Sequence, residues 1–184
     1  MIGFLAVAVV VIVAPGPDFA LTVRNTVRGA GVATAFGVAT GQVVWVVATA
    51  AGAAALLAAS HPAFVGLRLA GAAYLVWLGL ATLLARSGHA PRIRPGSPYR
   101  QGLLSNLANP KMPVFFISLL PQFGGSLLAL AAHGLLFAAL TLCWLTLVSR
   151  GTGLILVPRV RRIVDGVTGV VLVALGLRLA TERR

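Results

Sequence analysis

Six stretches of this chain are long and apolar enough to cross a bilayer, and that pattern leaves few folds open. A spanning helix needs about 20 mostly apolar residues. The runs are Ile2 to about Val27, Phe36–Ala59, Phe64–Ala85, about Gln101 to Phe123, Leu127–Val148 and Ile163–Ala180, the last being the shortest. Of 184 residues, 59% are hydrophobic and only 10% charged, whereas a soluble domain is about half apolar and a quarter charged. In hydrocarbon every backbone N–H and C=O must find a partner inside the protein, so runs of this length are helices. The predicted fold class is therefore all-α integral membrane, one transmembrane domain over 1–184. A soluble binding module is excluded.

Two of the six runs are interrupted. The first breaks at Pro15, Gly16 and Pro17 and is followed at once by Asp18, one of only three acidic residues. The fourth breaks at Asn109-Pro110-Lys111-Met112-Pro113. Proline removes a donor and clashes with the preceding turn. Freed backbone groups and a charge are both costly in a membrane unless they face protein or a water-filled cavity. A proline break beside an ionisable residue therefore marks a site.

The net charge is +12, from fifteen Lys and Arg against three acids. These charges fall mostly in short loops between apolar runs, so they are read as topology signals beside anionic lipid rather than as a nucleic-acid surface. Alternate loops carry Arg24 and Arg28; Arg86, Arg92, Arg94 and Arg100; and Arg150, Arg159, Arg161 and Arg162. That side is predicted to be cytoplasmic, with both termini outside, although Arg183 and Arg184 count against it. The N-terminus lacks the basic region and small-x-small site of a signal peptide and is read as a retained first helix. Cys143 sits alone in an apolar run as a small packed residue. His61, His89 and His133 are too scattered to suggest a metal site.

The halves of the chain resemble each other. Pro17 and Pro110 lie 93 residues apart, as do Gly31 and Gly124, Gly41 and Gly134, and Arg68 and Arg161. At an offset of 97, Leu75–Leu80 aligns with Leu172–Leu177. Chance similarity between Ala/Leu/Val-rich segments explains the aliphatic matches but poorly explains the paired breaks. The halves are repeat 1 (about 1–86), a basic linker (87–99) and repeat 2 (about 100–184). Three helices per half make the repeats inverted, with helices 1 and 4 broken. Inverted repeats with matching broken helices are a transporter pattern, with the site between the breaks near the bilayer midplane. The alignment pairs Asp18 with Lys111. One acid and one base suit a zwitterion such as an amino acid; the plainer alternative is a structural ion pair without a ligand.

Three ordered motifs resemble the LysE/RhtB family of amino-acid exporters. The first helix reads Ala14-Pro15-Gly16-Pro17-Asp18-Phe19. The third reads Gly71-Ala72-Ala73-Tyr74-Leu75-Val76-Trp77-Leu78-Gly79. The fourth reads Gly102-Leu103-Leu104-Ser105-Asn106-Leu107-Ala108-Asn109-Pro110-Lys111, then Phe115-Phe116 and Leu120-Pro121-Gln122-Phe123. The departure is Pro113, where the family pattern has an ordinary apolar residue; a second proline there is expected to widen the break. The resemblance implies secondary export of amino acids or their derivatives, driven by the proton gradient, from a multi-pass protein of the bacterial cytoplasmic membrane. No cofactor is expected, and a homodimer suits so small a transporter.

The residues expected at the site follow. Asp18 is placed as ammonium ligand, proton carrier or both, since a carboxylate in a low-dielectric setting can bind and release a proton during a transport cycle. Lys111 is its counterpart, as carboxylate ligand or empty-state partner. Asn106 and Asn109 supply amides near the second break, with Asn109 alternatively capping the half-helix that follows. Gln42 and Trp45 share a helix face and are candidates to line the pocket, although packing or a lipid-interface role suits them better. Asp165, beside Arg161 and Arg162, reads chiefly as a helix-start charge. Two rival classes are a membrane-embedded lipid-modifying enzyme and a metal-ion exporter. The first would need a nucleophile with a base, or a metal cluster, and there are three acids in all. The second would need several carboxylates, thiols or imidazoles close together.

Overall fold

A computed structural model of the protein describes residues 2–14, 16–59, 96–109, 111–123 and 126–151, with isolated positions between 65 and 84 and between 166 and 181; side chains 53–59 and 118 are excepted. Among the described residues the protein is helical throughout, without a strand. The elements are α1 (Ile2–Val13), α2 (Pro17–Thr26), α3 (Gly31–Ala59), α4 (Pro98–Leu107), α5 (Lys111–Pro113) and α6 (Leu127–Arg150). A π-helical turn, Val114–Leu119, and a 3₁₀ turn, Leu120–Phe123, continue α5. Among the described residues two helices are apolar and long enough to span a bilayer, Gly31–Gly52 within α3 and Leu127–Arg150. The pair α1 and α2, bent by 56° at the break, makes a third span if taken as one. The third and sixth apolar runs lie largely outside the described residues.

Several ends differ from the sequence expectation, each for a local reason. Helix α3 starts at Gly31, five residues before Phe36, and the turn Val27–Gly29 followed by Ala30 connects it to α2. Gly29 takes φ +73°, a conformation that favours glycine. Gly31 lies directly on Thr26, whose Oγ1 a Cβ there would strike, so only glycine fits at the start of α3. Helix α4 starts at Pro98 rather than Gln101, taking Pro98 and Tyr99 out of the predicted linker. Ser97 caps it by accepting from the Arg100 N–H at 3.4 Å, and Pro98 sits where a missing donor costs nothing. Pro113 does not widen the second break. It falls in the first turn of the restarted helix, where its absent N–H would have no helical partner. The helix then underwinds, and the Leu120 N–H reaches the Phe115 carbonyl across a π turn.

Helix α3 lies between α4 and α6 and packs on both. Glycines bring α3 and α4 backbone to backbone. A Cβ on Gly37 would strike the Tyr99 carbonyl, and one on Gly102 would strike the Thr34 carbonyl. Such small-residue contacts drive helix association in lipid, where no hydrophobic force operates between helices. On the other face, Phe4, Val11, Phe115, Phe116 and Phe137 form the main apolar core, with the rings of Phe115 and Phe137 stacked 4.0 Å apart. Gly176 sits where a Cβ would lie 2.8 Å from the Ala72 carbonyl, which brings the third and sixth runs into contact.

Candidate substrate site between the two helix breaks

The first break is short. The Ala14 N–H still reaches the Val10 carbonyl at 3.0 Å, Gly16 is extended, and α2 restarts on Pro17. Asp18 then occupies the first turn of α2, where a negative charge suits the helix dipole. It is 7% exposed, and its partners come from the far half of the chain. Ser105 Oγ donates to Oδ1 at 2.7 Å, while Asn106 Nδ2 and Asn109 Nδ2 donate to Oδ2 at 2.8 and 2.9 Å. All three donors lie at the C-terminal end of α4 or just past it.

Lys111 makes the reciprocal crossing. It opens the helix after the second break, and its ammonium donates to the Val11 carbonyl at 2.7 Å and the Ala14 carbonyl at 3.2 Å. Those carbonyls belong to the broken end of α1, where they have no continuing helix to bond. A cation there also suits the negative end of the α1 dipole, and α1 carries no basic residue of its own in its last turn. Each break thus sends its charge to the end of the half-helix preceding the other break. Asp18 and Lys111 face one cavity, yet each takes its hydrogen bonds from these helix ends rather than from the other.

That cavity measures about 20 Å³, room for one water. Asp18, Lys111, Asn109, Gln42, Thr141 and Phe137 are among its lining residues. Asn109 Oδ1 accepts from the Lys111 N–H at 3.1 Å, capping the restarted helix, while its Nδ2 donates to Asp18. Asn106 is fully buried and rests on Gly41, whose missing Cβ would lie 2.7 Å from Asn106 Oδ1. Gln42 faces the cavity. Trp45 does not: it stacks on Phe116 at 6.5 Å, against the main core. Of the predicted break residues, Gly16, Pro17 and Pro113 are described, whereas Pro15 and Pro110, like Tyr74 and Asp165, lie outside the described residues. Among the described residues no three His, Cys, Asp or Glu side chains are grouped to hold a metal ion.

Sequence reasoning missed Ser105 and Thr141. Ser105 was legible, because it adjoins Asn106 at the end of the helix that precedes the second break. Thr141 carried no signal, being a lone hydroxyl in an apolar helix.

Residues 9–183 match the family model for LysE type translocators. The chain belongs to that family. It is 30% identical to the threonine efflux protein of Escherichia coli K12, the match covering 98% of each chain. It is 36% identical to an uncharacterised membrane protein of Pseudomonas aeruginosa, over 94% of this chain and 91% of that one. A further uncharacterised membrane protein, from Bacillus subtilis, is 26% identical over 97% of both. No solved structure matches. Membership places the chain among membrane translocators, so it is a transporter and not an enzyme.

Proposed function

We propose that this translocator is a proton-coupled secondary exporter of amino acids in the bacterial cytoplasmic membrane, its substrate bound between the two helix breaks. The observation that carries the reading is the reciprocal crossing of Asp18 and Lys111. One negative and one positive group share a cavity, and each is held by exchangeable neutral partners rather than locked in an ion pair. A zwitterion can replace those partners, its ammonium at Asp18 and its carboxylate at Lys111. The cavity is several times too small for an amino acid, so binding requires the half-helices to part. That is the motion alternating access demands. Asp18 is the group proposed to carry the proton, and the threonine efflux relatives support outward transport of an amino acid.

The inverted-repeat architecture is part of the same proposal. The offset that aligns the breaks pairs Asp18 with Lys111, and a pseudo-two-fold axis would send each charge to the equivalent place in the other half. Six spans with the 87–99 segment on the cytoplasmic side follow from the loop charges. Single cysteines at Ser97 and Ser126, in a Cys143→Ala background, are expected to react with an impermeant thiol reagent from opposite sides of the membrane. Labelling of both from outside would refute the topology. Cys143, expected from the sequence to be packed, is instead exposed on the surface of α6, so its replacement leaves the core intact.

Export itself is tested in cells. Overproduction is expected to raise tolerance to a toxic excess of a substrate amino acid and to lower its intracellular level. Faster accumulation of the same compound would show uptake and sink the reading.

A further inference from the structure

The cavity has a second polar wall that the charged pair does not use. Gln42, on α3, is 1% exposed. Its neighbour is Thr141 on α6, and the two are joined by a hydrogen bond of 3.1 Å. The direction of that bond can be fixed. The Thr141 hydroxyl gives its single hydrogen to the Phe137 carbonyl at 2.9 Å, so toward Gln42 its oxygen can only accept. Gln42 must therefore present Nε2 to Thr141, which leaves Oε1 as the free end of the amide. Oε1 is buried and has no hydrogen-bond partner. Buried polar atoms in native proteins are overwhelmingly paired, and an orphan acceptor on a residue that lines a ligand cavity is a place for a donor.

We propose that Gln42, oriented by Thr141, determines side-chain specificity, its Oε1 accepting a hydrogen bond from a hydroxyl on a short substrate side chain. This rests on the amino-acid export reading. In that reading the two backbone charges of the substrate are matched by Asp18 and Lys111, so the group left to meet Gln42 is the side chain. A charged side chain would find no counter-charge among the described lining residues, where the one acid and the one base are already engaged. Phe19, Met112, Phe137 and Leu145 give the same cavity apolar walls. A single acceptor among such walls suits one hydroxyl on a compact carbon stem, and discriminates against an isosteric methyl because the acceptor then stays unpaired.

The test uses the purified protein in proteoliposomes preloaded with threonine or with valine, which has nearly the same shape and no hydroxyl. The wild type is expected to release threonine at least about tenfold faster than valine. Gln42→Met is expected to bring the ratio close to one by slowing threonine far more than valine. Thr141→Val, which frees the amide to turn, is expected to lower the ratio part of the way. Equal release of both amino acids by the wild type would overturn the proposal while leaving amino-acid export standing. Release of neither, nor of any other amino acid, would remove the export reading and this inference with it. Retention of the wild-type ratio in Gln42→Met, or an equal loss of both rates in a variant that elutes as folded protein, would also overturn it. If Gln42→Met does not fold, the wild-type ratio and Thr141→Val decide the matter.

Discussion

Asp18→Asn is expected to bring efflux of preloaded substrate to background at matched expression, while the protein stays folded. The geometry makes this substitution unusually clean. An asparagine can keep all three bonds by offering its carbonyl oxygen to Asn106 and Asn109 and its amide hydrogens to Ser105, whose hydroxyl accepts as readily as it donates. What is lost is the charge, and with it any ammonium ligation or proton carriage. Asp18→Leu should behave differently. It leaves two buried amide donors without partners, at about 1–3 kcal/mol each, and should lower the yield of folded protein as well. Lys111→Met likewise uncaps the Val11 and Ala14 carbonyls at the end of α1. The double exchange, Asp18→Lys with Lys111→Asp, is expected to rescue neither folding nor transport. It would set a carboxylate against two carbonyl oxygens, a mismatch that a simple ion pair would not suffer. Near-normal efflux in Asp18→Asn, or recovery in the double exchange, would remove the basis for this site.

Gly102→Val is expected to abolish assembly of the α3–α4 pair. Even a single Cβ at that position strikes the Thr34 carbonyl, and the obstacle is backbone that cannot rotate aside. Overpacking in a close-packed interior typically costs about 1–3 kcal/mol, and more where the neighbour cannot yield. The effect should reach the site, because Asn106 lies one helical turn further along α4 and rests on Gly41. Gly52→Ala on α3 is the control, since a Cβ there meets nothing within 4 Å. Size-exclusion profiles and thermal unfolding in detergent check the pair. The expected outcome is aggregation or a sharply lowered midpoint for Gly102→Val and an unchanged protein for Gly52→Ala. A well-folded Gly102→Val would mean that the two helices are not in backbone contact.

Much of this protein could be read from its residues one at a time. Hydropathy is a sum over local side chains, so the membrane class and the apolar segments underlying α3 and α6 needed no tertiary information. Proline chemistry is equally local, which is why the breaks before Asp18 and Lys111 stand where the prolines put them. Helix ends were less legible, since the start of α4 depends on the Ser97 cap and the glycine at the start of α3 on its close approach to Thr26.

The partners of the two charges were decided only by the tertiary structure. The groups that hold Asp18 and Lys111 lie 87 to 100 residues away in the chain. An acid and a base at matching breaks suggest an ion pair, but a broken helix also leaves carbonyl groups in need of a donor, and Lys111 answers that demand. Gln42 and Trp45 share a helix face by sequence, yet one faces the cavity and the other the aromatic core. Their separation is set by how Phe116, Phe137 and Thr141 pack against α3, and no pattern along α3 itself carries that choice. The sequence alone determined that two helices must break beside opposite charges, because backbone chemistry in lipid is unforgiving at every residue. Which oxygen each charge holds was decided by the folded structure, because hydrogen bonds select among competing partners over distances of less than an ångström.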